Sequence, residues 1–380
     1  MKLFLIAGEP SGDTLGAALM VGLNTLHPDI EYQGIGGPLM QAQGLQSLFP
    51  MEELSVMGIV EVLPRYFALK RRIRQAADAA LDAGTDAGTD ALITIDSPDF
   101  CLRAAALVKA QRPGLPTIHY VAPSVWAWRP GRAANMARVI DHVLALLPFE
   151  PPYMTRAGMS CDFVGHPVVA EPLATPAERT MMAGDSPLIL ALPGSRRGEI
   201  ARLAPVIGEV LGQIKARHPN ARVALPTLAT VEPMVRALSQ SWPIAPRIIL
   251  DPAVRRAAFA AADVAIAASG TVSLELAANA CPMVIAYDMN RMTLWLMRRA
   301  ALIDTVTLVN LVSDTRTIPE FIGQNCRADL IAPALIRLLD DPAARKVQMS
   351  AMSLTMDRLG KGGEAPGLRA ARSVLAALKR

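Results

Sequence analysis

The sequence has 380 residues, enough for two or three domains of ordinary size. Hydrophobic residues make up 52% and charged residues 19%, which excludes a disordered chain, and with only 4% aromatic residues the core must be aliphatic. The formal net charge of +4 is too small over this length for a dedicated nucleic-acid binder, although arginines still suit phosphate or anionic lipid.

Cysteine spacing and hydropathy exclude further classes. The four cysteines, Cys101, Cys161, Cys281 and Cys326, are far apart and form no CxxC pair, which argues against a disulfide scaffold or a zinc finger and fits a reducing cytosol. The apolar run Leu3–Ala7 is shorter than that of an export signal. No run of about 20 uninterrupted apolar residues occurs, so we expect a soluble or peripheral protein without a transmembrane helix.

Short apolar runs alternate with longer alanine-rich amphipathic stretches. This alternation is typical of βα repeats, whose parallel strands are buried on both faces, and it predicts an α/β fold. The predicted strands are Leu3–Ala7, Ala91–Ile95, Thr117–Val121 and Val143–Leu147 in the first half, and Leu188–Leu192, Arg222–Leu225, Arg247–Leu250, Val264–Ala267 and Met283–Tyr287 in the second.

The two groups of strands predict two doubly wound, Rossmann-like domains that face each other across a cleft. Prolines and a glycine in Val164–Ser186 suggest a hinge between them. We expect an N-terminal domain over 1–165, a second domain over 166–345, and C-terminal helices over 346–380 that pack back on the first domain. Ligands of such sheets bind at the carboxyl ends of the strands, so the loops at those ends hold the candidate residues.

The first such loop is GEPSGDTLG, Gly8–Gly16. Its glycines permit a tight turn, and it places Glu9, Ser11 and Asp13 at one strand's carboxyl end, which favours a ligand-facing loop. The simpler interpretation is a well-capped strand–turn–helix connection. The spacing differs from the dinucleotide-binding GxGxxG pattern.

The segment IDSPDF follows the predicted strand Ala91–Ile95. Ser97 as cap and Pro98 at the first helical position make a good helix start, and Asp99 is explained there by the helix dipole. Asp96 precedes the cap at the end of the strand and has no such explanation. It is the candidate general base.

The segment HYVAPSVWAWRPGR contains two of the four tryptophans, Trp126 and Trp128, next to arginines. A packing cluster and a surface for a sugar or acyl chain are both open interpretations. His119, alone at the start of this segment, is more simply a structural residue.

The segment LPGSRRGEI places Ser195 and Arg196 where a strand ends and a helix begins. Helix N-terminal amides together with an arginine fork suit a diphosphate, although the GxxxxGK[ST] pattern is absent. The alternative is an arginine-decorated turn.

The segment ASGTVSLELAANACPMV repeats this arrangement on a later strand. Its loop residues Ser269, Gly270 and Thr271 leave backbone amides for a phosphate, and Glu275, one turn into the helix, can accept hydrogen bonds from ribose hydroxyls. The alternative is a capped helix with an exposed glutamate.

Several motifs in order resemble those of the lipid-A-disaccharide synthase family of GT-B glycosyltransferases. They are GEPSGD, MEELSVMGIVEVL, DSPDF, HYVAPSVWAWR, FVGHP, LPGSR and ASGTVSLE–CPMV, from Gly8 to about Asn310. The pattern SGTxxLE alone indicates only the superfamily, whereas the ordered set is specific. The sequence departs from the family at Pro10 and in the duplicated segment Asp82–Asp90, and it matches more loosely after Asn310.

The resemblance implies a GT-B fold and an inverting transfer that joins UDP-2,3-diacylglucosamine to 2,3-diacylglucosamine 1-phosphate, forming the β(1→6) disaccharide of lipid A and releasing UDP. It implies that Asp96 is the base, that Arg196 and the helix starts at Ser195 and Thr271 take the diphosphate charge, and that Glu275 holds the ribose. Asn310 is then a substrate contact. No DxD motif occurs, so we expect no metal and no cofactor, and a monomer and a homodimer are both open.

Three rivals remain open. A related UDP-N-acetylglucosamine 2-epimerase or peptidoglycan-pathway transferase would share Glu275 and the phosphate loop, but not VMGIVEV or VWAWR. A dehydrogenase would need GxGxxG. A non-catalytic lipid-binding protein would not need Asp96 together with a UDP site.

The segment Val56–Gln75 contains both basic and apolar residues. Substrates that carry acyl chains suggest that this segment contacts a membrane. An ordinary amphipathic helix would turn its apolar face to the sheet. We instead expect an interfacial helix on anionic lipid, so that the protein is peripheral on the cytoplasmic face of the inner membrane. The predicted membrane or acyl contacts are Val60, Val62, Leu63, Tyr66, Phe67, Leu69, Arg71 and Arg72, with Ile73 on the same helix face as Tyr66 and Leu69.

Overall fold

The computed structural model describes residues 1–54, 59–82 and 88–379. The side chains at 59–66, 291–293, 296 and 298 also lie outside the description. The chain divides into two compact units, one formed by Met1–Ala170 with Gly362–Arg380 and the other by Glu171–Lys361. In its described part, each unit is built on a parallel sheet, which confirms the predicted α/β class.

The first unit contains a seven-stranded sheet in the order β3-β2-β1-β4-β5-β6-β7 within the described residues. Its strands are β1 (Lys2–Ala7), β2 (Glu31–Ile35), β3 (Gln46–Ser47), β4 (Ala91–Ile95), β5 (Thr117–Tyr120), β6 (His142–Ala145) and β7 (Ser160–Phe163). Its helices are α1 (Pro10–Leu26), α2 (Pro38–Ala42), α3 (Ile59–Asp82), α4 (Pro98–Gln111), α5 (Gly131–Met136), α6 (Pro151–Arg156) and the C-terminal helix Pro366–Ala377.

The second unit contains a six-stranded sheet in the order β10-β9-β8-β11-β12-β13 within the described residues. Its strands are β8 (Leu188–Leu192), β9 (Arg222–Pro226), β10 (Pro246–Ile249), β11 (Val264–Ala268), β12 (Met283–Tyr287) and β13 (Glu320–Ile322). Its helices are α7 (Pro176–Thr180), α8 (Arg197–Arg217), α9 (Glu232–Ser239), α10 (Pro252–Ala261), α11 (Val272–Ala278), α12 (Arg291–Ala300), α13 (Leu308–Ser313), α14 (Ala328–Asp340) and α15 (Pro342–Arg358).

All nine predicted strands are present, with ends that differ by at most two residues. Central strands such as β4, β8 and β11 are buried along their whole length, because helices cover both faces. The shorter or more exposed strands β2, β3, β7 and β13 were not predicted. These strands lack a continuous buried run, so hydropathy alone does not reveal them.

The C-terminal segment divides differently from the expected boundary at residue 346. Helix α15 belongs to the second unit, and only the chain from Gly362 onward returns to the first. There the C-terminal helix, α16, packs on α1 so closely that the backbones of the two helices are in contact. A Cβ atom at Gly22 would lie 2.5 Å from the Gly367 carbonyl oxygen, and one at Gly367 would lie 2.4 Å from that of Ala18. Glycine at both positions is therefore required for this contact.

Asp13 stabilises the start of α2. Its side chain is 3% exposed, and its carboxylate accepts hydrogen bonds from the backbone N–H groups of Gly37, Leu39 and Met40 at 2.9–3.0 Å. A Cβ atom at Gly37 would lie 2.5 Å from Asp13 Oδ2, so the glycine permits the close approach. Both carboxylate oxygens are thus used inside the fold, and the expected substrate contact of Asp13 stays a prediction.

The Asp13→Ala variant should therefore unfold more easily. Loss of hydrogen bonds to a buried charged acceptor should lower the free energy of unfolding by about 3 kcal/mol or more. The measurement is denaturant-induced unfolding followed by circular dichroism. Asp99→Ala is the matched control, because the exposed Asp99 supports only the dipole of α4 and should cost less than about 1 kcal/mol. Equal stability of the two variants would contradict this role for Asp13.

Candidate active site

At the carboxyl edge of the first sheet, the loops after β1 and β4 lie side by side. The Ser11 hydroxyl donates a hydrogen bond to Asp96 Oδ2 at 3.4 Å, and the Ser97 hydroxyl donates one to Glu9 Oε1 at 3.5 Å. A Cβ atom at Gly8 would lie 2.7 Å from Ser97 Oγ, so this approach requires the glycine. The structure thus brings Glu9, Ser11 and Asp96 together, as the sequence analysis expected of neighbouring strand ends.

The backbone at Asp96 is strained. Asp96 and Ser97 have φ angles of +54° and +42°, a region that residues other than glycine seldom adopt. The Asp96 N–H donates to the Tyr120 carbonyl at 2.9 Å, which holds the turn against β5. Ser97 occupies the predicted N-cap position before Pro98, but its side chain makes no hydrogen bond to the start of α4. Such strain persists where the surrounding structure enforces it, often at functional sites.

Two titratable groups near this edge are buried. Burial raises the pKa of Cys101, and the charges of Asp96 and Glu9 raise it further against a hydrogen bond from the backbone of Ile95, so this thiol stays protonated. Burial also lowers the pKa of His119 to about 4, and its Nδ1 lies 2.7 Å from Thr94 Oγ1. His119 is therefore neutral near pH 7 and structural, which was the simpler interpretation.

The two tryptophans of the loop after β5 have different environments. Trp126 is buried and donates from Nε1 to Glu150 Oε1 at 3.1 Å. Burial raises the pKa of Glu150 to about 7, although hydrogen bonds from the backbone N–H of Leu147 and from Trp126 oppose the rise. Trp128 is exposed, with the Arg129 guanidinium 4.3 Å from its ring centre. One tryptophan thus packs inside the fold, and the other remains accessible.

In the second unit, the turn after β8 presents a cation at the start of α8. Gly194 has a φ angle of +107°, and Ser195 and Arg196 are exposed. The Arg196 N–H donates to Glu199 Oε2 at 3.4 Å, and its Nη1 lies 3.2 Å from Glu199 Oε1. The first amides of this 21-residue helix and the adjacent guanidinium can together bind a diphosphate.

The loop after β11 leads into α11 through an open turn. Gly270 has a φ angle of +153° with open space beside its Cα, and Thr271 makes no side-chain cap. Glu275 forms an ion pair with Arg255 on α10. Arg255 was not predicted as a site residue, because the sequence of an arginine-containing helix does not indicate which carboxylate each arginine pairs with. Its partner Glu275 lies 20 residues later.

Asn310 is enclosed within the second unit. It is 1% exposed, and its Nδ2 donates to the Ile318 carbonyl at 2.9 Å and to Thr305 Oγ1 at 3.2 Å. Its Oδ1 accepts from the Ile318 N–H at 3.0 Å. The amide is enclosed and hydrogen-bonded within the second unit, and the implied substrate contact stays a prediction.

Helix α3 turns part of the predicted membrane face inward. Ile73 is buried and Leu69 packs half-buried against the same core, so both side chains contribute to the packing of the first unit. Arg72 pairs with Glu53 and stacks on Phe49, 4.3 Å from its ring centre, and so belongs to the fold. Phe67 is 82% exposed and Arg71 is exposed. The side chains of Val60, Val62, Leu63 and Tyr66 lie outside the described residues.

The described residues contain neither a metal-binding cluster nor a membrane-spanning helix. Across 1–54, 59–82 and 88–379, no group of three or more histidine, cysteine, aspartate or glutamate side chains is placed to hold a metal ion. Within the same ranges, no helix has the length and apolar composition needed to cross a bilayer.

Solved structures with a similar fold cover the whole chain. The chain aligns over its whole length with a UDP-GlcNAc 2-epimerase from Neisseria meningitidis bound to UDP-GlcNAc, with a TM-score of 0.66, 13% identity and full coverage of that chain. It also aligns with the calicheamicin glycosyltransferase CalG4, with a TM-score of 0.60, 17% identity and coverage of 100% and 98%. At these identities the likeness shows the fold alone, the two Rossmann-like units of GT-B proteins.

Proteins with similar sequences indicate the family of this chain, which the structural likeness does not. The chain is 58% identical to the lipid-A-disaccharide synthase of Ruegeria pomeroyi, covering 99% of this chain and 95% of that protein. It is 44% identical to that of Rhodospirillum centenum, covering 99% and 94%. A family model described as lipid-A-disaccharide synthetase matches residues 3–365. Because these matches cover nearly the whole chain, it belongs to the lipid-A-disaccharide synthetase family.

Proposed function

We propose that the chain joins UDP-2,3-diacylglucosamine to 2,3-diacylglucosamine 1-phosphate, giving the β(1→6)-linked lipid A disaccharide 1-phosphate and UDP. As a family member it is a hexosyltransferase of lipid A biosynthesis. The observation that carries the residue-level proposal is the strained Asp96 at the end of β4, with Glu9 and Ser11 beside it. We assign the acceptor to this edge of the first sheet and the UDP-sugar to the second unit.

Asp96 is assigned as the general base. As the acceptor O6 attacks the anomeric carbon of the donor, its proton passes to the Asp96 carboxylate. The bond from that carbon to the UDP oxygen breaks in the same displacement, which inverts the configuration without a covalent enzyme intermediate. Ser11 supports the assignment, because its hydrogen bond to Oδ2 orients the carboxylate.

Arg196 is assigned to the leaving diphosphate. The bond that breaks leaves negative charge on the UDP oxygen, and preorganised donors stabilise such developing charge. The guanidinium, the Ser195 hydroxyl and the amides of α8 are exposed together at the end of β8. The turn Ser269–Thr271, after the neighbouring strand β11, supplies further donors, and Glu275 is assigned to the ribose.

The exposed part of α3 is assigned to the membrane, since both proposed substrates carry acyl chains. Phe67 and Arg71 are exposed, as are Lys70 and Arg74 on the same helix. An apolar ring with basic neighbours favours an anionic lipid surface, here the cytoplasmic leaflet of the inner membrane. Compared with the expected set of contacts, the surface is smaller, because Leu69 and Arg72 are used inside the unit.

The deciding assay supplies both acylated glucosamines to the purified chain. Equal amounts of disaccharide 1-phosphate and UDP are expected. The rival activity is epimerisation, which would convert a UDP-sugar without an acceptor. A chain that needs no acceptor, or that forms no disaccharide, would contradict the proposal.

The Asp96→Asn variant should lose turnover by about 10²- to 10⁴-fold, because an amide cannot take up the acceptor proton. Its UDP affinity, measured by calorimetry, should remain close to that of the native chain. Asp99→Asn provides the control, since Asp99 is three residues away and exposed in the first turn of α4. Near-normal turnover of Asp96→Asn would remove the base assignment.

The Arg196→Ala variant should lose both UDP affinity and rate, with kcat falling about 10²-fold or more. Arg196→Lys should recover only part of the loss, because an ammonium lacks the bidentate fork. Arg217→Ala, at the other end of α8 and paired with Asp340, is the control for loss of a charge from the same helix. If the lysine variant matches the native chain, Arg196 supplies only a point charge.

The double variant Phe67→Ser, Arg71→Ser should bind anionic phospholipid vesicles less than the native chain, most visibly at low salt. Its melting temperature should be unchanged, because both side chains are exposed. Ile73→Ser, on the buried face of α3, should instead lower the melting temperature. Vesicle sedimentation combined with thermal unfolding separates the two effects, and native vesicle binding by the double variant would place the membrane surface elsewhere.

A further inference from the structure

The partner of Glu275 is a cation on a different helix. Arg255 Nη2 pairs with Glu275 Oε2, joining the first turn of α10 to α11. The two side chains are 42% and 24% exposed, so the pair is partly shielded from water while remaining open to a ligand. The pair therefore lies within the site that we assign to the ribose.

The guanidinium of Arg255 is itself held in place. Its Cζ lies 4.7 Å from the ring centre of Phe259, one turn further along α10, and that ring is buried. The start of α10 is fixed by Asp251, whose carboxylate accepts a hydrogen bond from the Val254 N–H at 2.9 Å. A cation stacked on a buried ring of a capped helix loses little further freedom when it binds a carboxylate.

This pairing leaves half of the Glu275 carboxylate available. Oε2 is bound by Arg255, whereas no described residue donates a hydrogen bond to Oε1. A ribose diol presents two hydroxyls at a fixed separation, so it needs a carboxylate held in one orientation. An unrestrained glutamate side chain rotates about several bonds and would lose that freedom on binding.

A second carboxylate makes the cation more important. Desolvation raises the pKa of Glu171, the negative charge of Glu275 raises it further, and the positive charge of Arg255 opposes the rise. The negative charges of Glu171 and Glu275 therefore oppose each other, and the charge of Arg255 moderates this repulsion. Without that arginine, Glu275 would face an uncompensated negative neighbour and would have no partner on Oε2 to fix its orientation.

We propose that Arg255 is a positioning residue that fixes the Glu275 carboxylate for the 2′,3′-diol of a ribose and so makes the site selective for ribonucleotides over deoxyribonucleotides. This inference rests on the proposed role of Glu275 in binding the ribose of UDP. Arg255 acts through Glu275, and its own contacts are to that carboxylate and to Phe259.

The test compares the affinities for UDP and 2′-deoxy-UDP, measured by calorimetry on the full chain. The native chain should prefer UDP by about tenfold or more, the worth of one hydrogen bond to a charged group. In Arg255→Ala this preference should fall to about threefold or less, through weaker UDP binding with little change for 2′-deoxy-UDP. Arg255→Lys should restore part of the preference, because it keeps the charge and loses the planar fork.

Arg256→Ala is the matched control. Arg256 is the next residue of α10 and pairs with Glu178 on α7, so its loss removes an ion pair of the same type away from Glu275. Its ratio of UDP to 2′-deoxy-UDP affinity should equal that of the native chain. Glu275→Ala removes the acceptor and should abolish the preference, and adding Arg255→Ala to Glu275→Ala should reduce it no further.

The outcomes separate the two proposals. If Glu275→Ala loses the preference and Arg255→Ala keeps it, Arg255 does not position Glu275, while the ribose assignment stands. If the native chain has no preference, or Glu275→Ala keeps it, the ribose assignment itself fails. An equal loss of affinity for both nucleotides in Arg255→Ala and Arg255→Lys would indicate a purely structural role and would overturn the inference.

Discussion

Parallel strand direction is the constraint on which each unit depends. Every strand in the described part of both sheets pairs in parallel, so each connection must cross back over a face of the sheet as a helix. All loops that follow a strand then meet at one edge. In the first unit this brings Glu9, Ser11 and Asp96 together, although more than 80 residues separate Asp96 from the other two. In the second it places Ser195 and Gly270 after the neighbouring strands β8 and β11.

The polar residues of the predicted sites form two groups. Buried ones stabilise the fold, and exposed ones can bind a ligand. Asp13 and Asn310 have enclosed side chains whose hydrogen-bonding groups are used by nearby residues. Removing either would leave buried donors without partners, a cost paid in stability. Asp96, Arg196 and Glu275 remain partly or largely exposed at the strand ends, so they retain the capacity to meet a ligand. Residue type and position in a motif do not distinguish the two sets.

The candidate groups also differ in how they are held. Asp96 is aimed by backbone strain and a serine, Arg196 by a reciprocal contact with Glu199, and Glu275 by an arginine from another helix. Each device limits the freedom of a charged side chain before any substrate arrives. Preorganisation of this kind favours catalysis by charge stabilisation, because the donors need not be reordered during the reaction.

The sequence by itself determined the α/β class, the nine most apolar strands and the loops that follow them, because continuous buried runs and turn residues are local signals. The ordered motifs also identified the family, which the comparisons confirm. Tertiary structure alone decided the rest. Leu69 and Ile73 were assigned to a membrane on periodicity, but periodicity gives only the apolar face of a helix and not what covers it. Asp13 and Arg255 have partners 20 or more residues away, and Asn310 is held by the backbone of Ile318 in a nearby loop; such contacts exist only once the chain has folded.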